Sequence, residues 1–199
     1  TTINSIAELE EVPAIVDISK SLGDMLRYSI KLKREVVELR EELIHVNNYV
    51  KILSYRYGDK IALTADIPDH LMTLLMPKLV LQPIVENAVY HGIELMRGKG
   101  EVRIAASVRG DTVHLEVIDN GAGIAADKLR LLQAALKSWP DEGPSQAGQD
   151  EMRSIGLYNI HARIALYCGP PYGIEVESTE GAGTTVRIAL PLAPPPARG

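Results

Sequence analysis

Residues 101–124 read EVRIAASVRGDTVHLEVIDNGAGI, and the fold class turns on this stretch. Val102, Ile104, Ala106 and Val108 alternate with their neighbours. The pair Gly110-Asp111 follows, and then Val113, Leu115 and Val117 alternate again. A period of two on both sides of a turn pair predicts a β-hairpin with one apolar face. The second arm runs directly into Asp119-Asn120-Gly121-Ala122-Gly123-Ile124.

The same grammar recurs outward from this hairpin. Ile61, Leu63, Ala65 and Ile67 alternate upstream, and Pro68 ends that strand. Ile174 and Val176, then Val186, Ile188 and Leu190, predict a final hairpin across Gly181-Ala182-Gly183. Helices fall between the strands. One is expected over 77–91, with Pro77 in its first turn, Gly92 past its end and Pro83 kinking or splitting it. Another covers 126–138, and Leu157, Ile160 and Ile164 mark a third. Hairpins separated by helices predict an α+β sandwich with a mixed, mostly antiparallel sheet and helices on one face. Strict strand-helix alternation, the mark of a doubly wound sheet, is missing.

The first 57 residues read as helix. Ile15, Ile18, Leu22, Met25 and Ser29 follow a 3-4 spacing, as do Val36, Leu39, Leu43, Val46, Val50, Leu53 and Tyr57. Pro13 starts or interrupts a helix. A reversal between Ile30 and Glu38 makes an antiparallel hairpin, but no Gly or Pro marks it, so one continuous helix stays open. Residues 140–154 read as a mobile loop, and the Pro-rich tail 193–199 as disordered.

Composition narrows the function classes. The chain has 199 residues, 46% hydrophobic and 24% charged, which suits a packed core. A net charge of −5 leaves no electrostatic footprint for nucleic acid or an anionic membrane. The short basic run Lys31, Lys33, Arg34 reads as a solvated turn. The single cysteine, Cys168, excludes an internal disulfide and a cysteine-rich zinc site, and reads as a small apolar residue near a helix end. Pro77, Lys78 and Pro83 interrupt the best apolar stretch, 71–85, so no membrane span is expected. No signal peptide is expected from the opening residues.

Three segments carry chemistry. In Gln82–Gly92, Asn87 and His91 share a helix face, as do Glu86 and Tyr90. An amide oxygen, a carboxylate and an imidazole on one wall suit a hard metal ion and phosphates, although a solvated polar face has the same look. In 119–124, two glycines let a ligand approach the backbone, and Asp119 can accept a hydrogen bond from an exocyclic amine such as adenine offers. A plain strand-to-helix turn explains a lone Gly-x-Gly as well. In the third, Gly156 at a helix start would leave backbone N–H groups free for phosphate, and Gly181–Thr185 is a hairpin turn that can also line a site.

The order of these motifs resembles the Bergerat ATP-binding fold of gyrases, Hsp90 chaperones, mismatch-repair ATPases and histidine kinases, the GHKL group. The segments LQPIVENAVYHGIE (81–94), IDNGAGI (118–124), SIGLYNIHARIALYCG (154–169) and GAGTTVRIALP (181–191) look like LytS/YesM-type sensor histidine kinases. EELIHVNNYVKI (41–52) looks like that family's dimerisation helices. The resemblance spans about 1–191.

It implies ATP and Mg²⁺ as ligands. Asn87 would ligate the metal, and Glu86 would assist proton removal. Tyr90 and His91 would lie near the phosphates or ribose. Asp119 would bond the adenine amine, with Gly121, Gly123 and Ile124 shaping the base pocket. Gly156 and Leu157 would begin the helix under a lid at 140–154, and Gly183, Thr184 and Thr185 would close the floor. It also implies a division into 1–57, a dimerisation and phosphotransfer remnant, 58–192, the catalytic domain, and the tail 193–199. A homodimer through 1–57 and a response-regulator receiver domain are the implied partners. The implied place is the cytoplasmic side of a membrane-anchored bacterial sensor, whose membrane segments would lie upstream.

Two departures stand out. Ser154 occupies a position where the family usually has a glycine. The family's phosphoacceptor histidine lies in a motif ending Asn-Ser-Ile, a couple of helical turns upstream of that ending, which Asn4-Ser5-Ile6 matches here, so the acceptor is expected to be missing and autophosphorylation of this chain is not expected. His45 reads as a solvated or packing histidine. An ATP-hydrolysing conformational machine and a non-catalytic docking module are the competing readings. The helical pair before the site favours the kinase over the first, and the presence of Glu86, Asn87 and Asp119 counts against the second.

Overall fold

The computed structural model describes residues 2–31, 34–94, 96, 98–140 and 151–193. Most of the expected lid, and the tail from 194, lie outside the described residues. Helices α1 (Thr2–Leu9) and α2 (Pro13–Lys31) lead to a short strand β1 (Val36–Glu38) and helix α3 (Leu39–Tyr57). Pro13 opens α2, where its missing N–H costs nothing. The reversal between Ile30 and Glu38 is present. Tyr55 and Lys51 of α3 reach Asp17 of α2 at one end (3.0 and 3.1 Å), and Tyr28 of α2 reaches Glu42 of α3 at the other. That pattern is an antiparallel hairpin.

Two expectations are corrected here. Val36, counted in the helical stripe, lies in β1 and pairs with Pro77 of β3 (Leu75–Pro77). Pro77 is therefore in a strand, and α4 begins only at Leu81 (Leu81–Asn87). Pro83 sits in the first turn of α4, where no intrahelical N–H bond is needed, so it neither kinks nor splits the helix. The helix continues as a π-helical turn over Ala88–Ile93.

Strands β2 (Ile61–Asp66), β4 (Gly100–Arg109), β5 (Thr112–Asp119), β6 (Gly173–Thr179) and β7 (Gly183–Pro191) form one sheet in the order β2-β4-β5-β7-β6. Only the β2–β4 pair is parallel. Helices α5 (Ala126–Lys137) and α6 (Glu151–Cys168) complete the layer. The expected alternation holds: Val102, Ile104, Val113, Leu115, Val117, Ile174, Val176, Val186, Ile188 and Leu190 are all buried. They join Ile84, Val85 and Val89 of α4 and its extension, and Leu157, Ile160 and Ile164 of α6, in one core. Each such side chain contributes about 1.5–3 kcal/mol relative to exposure. The opposite sheet face is polar, with Arg187 bridging Glu116 (2.8 Å) and Glu177 (3.4 Å). This is an α+β sandwich. Leu39, Leu43, Val46 and Leu53 of α3 belong to the same core, so the hairpin is built onto the helical layer.

Candidate functional site

The β4–β5 hairpin delivers Asp119 to the end of the central strand, next to the C-terminal end of the π-helical turn. Asp119 is only 7% exposed. Its Oδ1 accepts the Gly121 N–H at 2.8 Å, which bends the chain back over the strand end. Gly121 then lies against Gly92: a Cβ on Gly121 would stand 2.4 Å from the Gly92 Cα, and one on Gly92 would stand 3.0 Å from Asp119 Oδ1. Ala122 N–H donates to the Gly92 carbonyl at 3.1 Å, locking the two backbones together. This approach requires two glycines, and it leaves a floor without side chains beside a nearly buried carboxylate.

The β6–β7 turn closes the other side. Asp119 stands opposite Thr184 in register, and Thr185 opposite Ile118. Gly183 has φ +109°, and a Cβ there would lie 2.0 Å from the Asp119 carbonyl oxygen, so no other residue fits. Gly181 N–H donates to Ala122 O at 2.8 Å, holding the turn over the Gly123 loop. Thr184 is buried; Ile124 is buried in the core and donates its N–H to Ser178 Oγ at 2.9 Å. Ser178 also donates to the Gly183 carbonyl (2.8 Å) and lies 2.9 Å from Thr184 Oγ1. Nothing in the spacing singles out Ser178, although it ties three segments of the pocket floor together.

Helix α4 and its extension form the wall. Asn87 faces α6: its Nδ2 lies 3.9 Å from where a Gly156 Cβ would be, so Gly156 keeps space open beside the amide. Glu86 is half-buried, and burial raises its carboxyl above the ordinary value. Glu86 and Tyr90 both lie close to Tyr49 of α3, whose buried hydroxyl is pushed upward, first by burial and then by these two groups. Tyr90 thus packs toward the hairpin. His91 is exposed.

The expectation that Gly156 and Leu157 begin a helix is corrected. Helix α6 starts at Glu151, which places Gly156 inside it, and Leu157 is fully buried in the core. Gly156 N–H is therefore not one of the free terminal donors. His45 is only 2% exposed and bonds Gln82 Oε1 at 2.6 Å, so of its two expected states the packing one holds. Cys168 is half-buried at the end of α6, and burial raises its thiol to about 11. A cavity of about 470 Å³ lies elsewhere, between α5, α6 and β6 around Trp139 and His161. It shares no lining residue with the Asp119 cluster.

Sequence reasoning also missed Glu42. It is fully buried, and its carboxylate accepts the N–H groups of Leu79, Val80 and Leu81 at 2.6, 2.8 and 2.8 Å. It therefore holds the N-terminus of α4, the helix that ends in Glu86 and Asn87. A helix-borne Glu normally reads as a solvated face, so no signal pointed to it.

The donor set fits a nucleotide with a hard cation. A buried carboxylate over a side-chain-free floor suits a planar base edge, and an amide oxygen on the adjoining helix suits phosphate-bound metal. Among the described residues, no three His, Cys, Asp or Glu side chains converge on a metal site. An ion here would take most of its ligands from phosphate and water. No helix among the described residues is long and apolar enough to cross a membrane.

Residues 75–194 match the family model described as histidine kinase-, DNA gyrase B-, and HSP90-like ATPase, and residues 1–61 match the histidine kinase model. The chain is 34% identical over 190 residues to sensor histidine kinase YesM of Bacillus subtilis, covering 96% of this chain and 30% of that protein. It is 34% identical over 172 residues to sensor histidine kinase YpdA of Escherichia coli, covering 86% of this chain and 27% of that protein. The chain therefore spans less than a third of the length of these two relatives. In fold it is similar to the catalytic domain of histidine kinase ThkA, with a TM-score of 0.54 at 20% identity over 80% of this chain and 97% of that one. By its motifs, its sheet and these matches, the chain belongs to the histidine kinase-, DNA gyrase B- and HSP90-like ATPase family, with a preceding helical segment that matches the histidine kinase model.

Proposed function

We propose that the chain binds ATP with Mg²⁺ and transfers the γ-phosphoryl group to a histidine of the intact sensor, from which it passes to an aspartate of a response-regulator receiver domain. The observation that carries this reading is the convergence of Asp119, Gly121, Gly92 and Gly183 on one floor, with Glu86 and Asn87 on the adjoining wall. Asp119 would accept the adenine amine, and Gly121, Gly123 and Ile124 would shape the base pocket. Gly183, Thr184 and Thr185 would complete its floor. Asn87 would supply one oxygen to Mg²⁺, which when bound neutralises phosphate charge. His91 would contact phosphate. Tyr90 would steady Glu86, and Gly156 would leave room beside Asn87.

In the transfer, an imidazole nitrogen forms the new bond to the γ-phosphorus as the bond to the ADP oxygen breaks. Glu86 would take the imidazole proton, a role for which a raised carboxyl pKa is suited. The rest is positioning and charge neutralisation. Residues 1–57 would form the homodimer, 58–192 would carry catalysis, and the whole would work on the cytoplasmic side of a membrane-anchored sensor.

The test is incubation of the longer sensor, including the helix upstream of Asn4, with labelled ATP. Acid-labile phosphate on a histidine is expected, and Glu86→Gln should depress its rate at least about a hundredfold. Release of phosphate to water with no protein labelling would overturn the kinase reading in favour of an ATPase.

A further inference from the structure

Glu42 belongs to α3, yet its carboxylate accepts four hydrogen bonds from outside that helix. Oε1 takes the Leu79 N–H at 2.6 Å and the Tyr28 hydroxyl of α2; Oε2 takes the Val80 and Leu81 N–H groups, both at 2.8 Å. Two bonds to each oxygen satisfy a carboxylate that is 0% exposed.

The backbone is shaped to receive it. Leu79 has φ +58°, a conformation that leucine rarely adopts, and Val80 follows at φ −97°, ψ −47°. A left-handed residue followed by a right-handed one turns successive N–H groups into one concavity, which binds anions. The start of α4 adds its helix dipole. On the other side, Arg163 of α6 donates to the carbonyls of Lys78 (2.9 Å) and Leu79 (3.1 Å). The Leu79 link is thus gripped by a carboxylate and a guanidinium, and strain of this kind persists only where surroundings over-determine it.

The grip extends along α4. His45, three residues after Glu42, bonds Gln82 at 2.6 Å, and the Tyr28 ring stacks on the His45 ring with centroids 4.4 Å apart. Both helices of the hairpin therefore hold the first turn of α4. The far end is fixed where Gly92 meets Gly121 and Ala122. Glu86 and Asn87 lie between the two anchors, so a shift at the Glu42 end tilts them.

We propose that Glu42 is a positioning residue for phosphoryl transfer: steadied by Tyr28, its carboxylate sets the start of α4 and through it the placement of Glu86 and Asn87, so that the packing of α2 on α3 is transmitted to the phosphate side of the nucleotide site. This rests on the assignment of Asn87 and Glu86 given above. The base side, built on β5 and its loop, does not hang on Glu42, so the effect falls on one half of the site.

The experiment is calorimetric titration of adenylyl imidodiphosphate, with and without Mg²⁺, into the parent chain, Glu42→Gln, Tyr28→Phe, Asn87→Ala and the Glu42→Gln/Asn87→Ala double variant. Folding of each is checked by circular dichroism. Glu42→Gln should cut the Mg²⁺-dependent gain in affinity by about tenfold or more and leave metal-free binding unchanged. Tyr28→Phe should act in the same direction but less. In the Asn87→Ala background, Glu42→Gln should cost nothing further, because both changes remove the same gain. A folded Glu42→Gln protein with the full gain overturns the proposal. So does equal loss with and without metal, or losses that add to those of Asn87→Ala. If Glu42→Gln does not fold, an unchanged gain in Tyr28→Phe overturns it. A parent that binds no nucleotide, or an Asn87→Ala protein that keeps the gain, brings down the site assignment and this proposal with it.

Discussion

At the scale of single residues, Glu86 carries a conflict between stability and chemistry. Burial raises its carboxyl above 4.5, the value it would have in an unfolded chain. A raised folded value means that stability is fully present below pH 4.5 and is lost as pH rises through the folded value. Glu86→Gln should therefore raise the thermal midpoint at neutral pH, and the gain should vanish below pH 4.5. The gain should be small, because the carboxyl is half in water. Thermal melts of both proteins across pH 4–8 provide the check, and a gain independent of pH would contradict the desolvation argument. Asp119 was legible in the sequence because it ends an alternating strand and precedes Gly-x-Gly. Glu42 was not. Its role depends on the positive φ of Leu79, a backbone state that no residue pattern announces when a leucine occupies it.

At the scale of elements, the site depends on how closely two backbones meet. Gly121→Ala places a methyl 2.4 Å from the Gly92 Cα, and neither backbone can yield without moving the π-helical turn or the end of β5. The substitution should cost about 1–3 kcal/mol in urea unfolding and weaken nucleotide binding as well. Unchanged stability would mean that the two segments are not in contact. Both hairpins were readable because period two and a turn pair specify them locally. The three-residue strands β1 and β3 were not, since each pairs with a partner far away in sequence. The start of α4 was misplaced for the same reason: Pro77 satisfies helix-start rules, but pairing with Val36 overrides them. Gly156 was misplaced because α6 begins in a segment whose composition reads as loop.

At the scale of the whole molecule, the helical hairpin leaves apolar side chains uncovered. Ile3, Ile6 and Leu9 of α1 are 54–82% exposed, and Leu22, Leu26 and Ile30 of α2 are 49–74% exposed. A contiguous stripe of this kind marks an interaction surface, here the proposed homodimer. Replacing both Leu22 and Leu26 by Glu should convert the chain to a monomer in sedimentation velocity without changing nucleotide affinity. An unchanged oligomeric state would remove α2 from the interface.

The proposed site places the adenine of ATP on the floor around Asp119. Calorimetric titration of ATP with Mg²⁺ into the parent chain and into Asp119→Ala measures that placement. A hydrogen bond to a charged acceptor contributes about 1.5–3 kcal/mol, so the loss of Asp119 should weaken ATP by at least about tenfold. GTP, which lacks the exocyclic amine at that position, should bind the parent as weakly as ATP binds the variant. Equal ATP affinity in the parent and in a folded Asp119→Ala protein would remove the adenine from this floor.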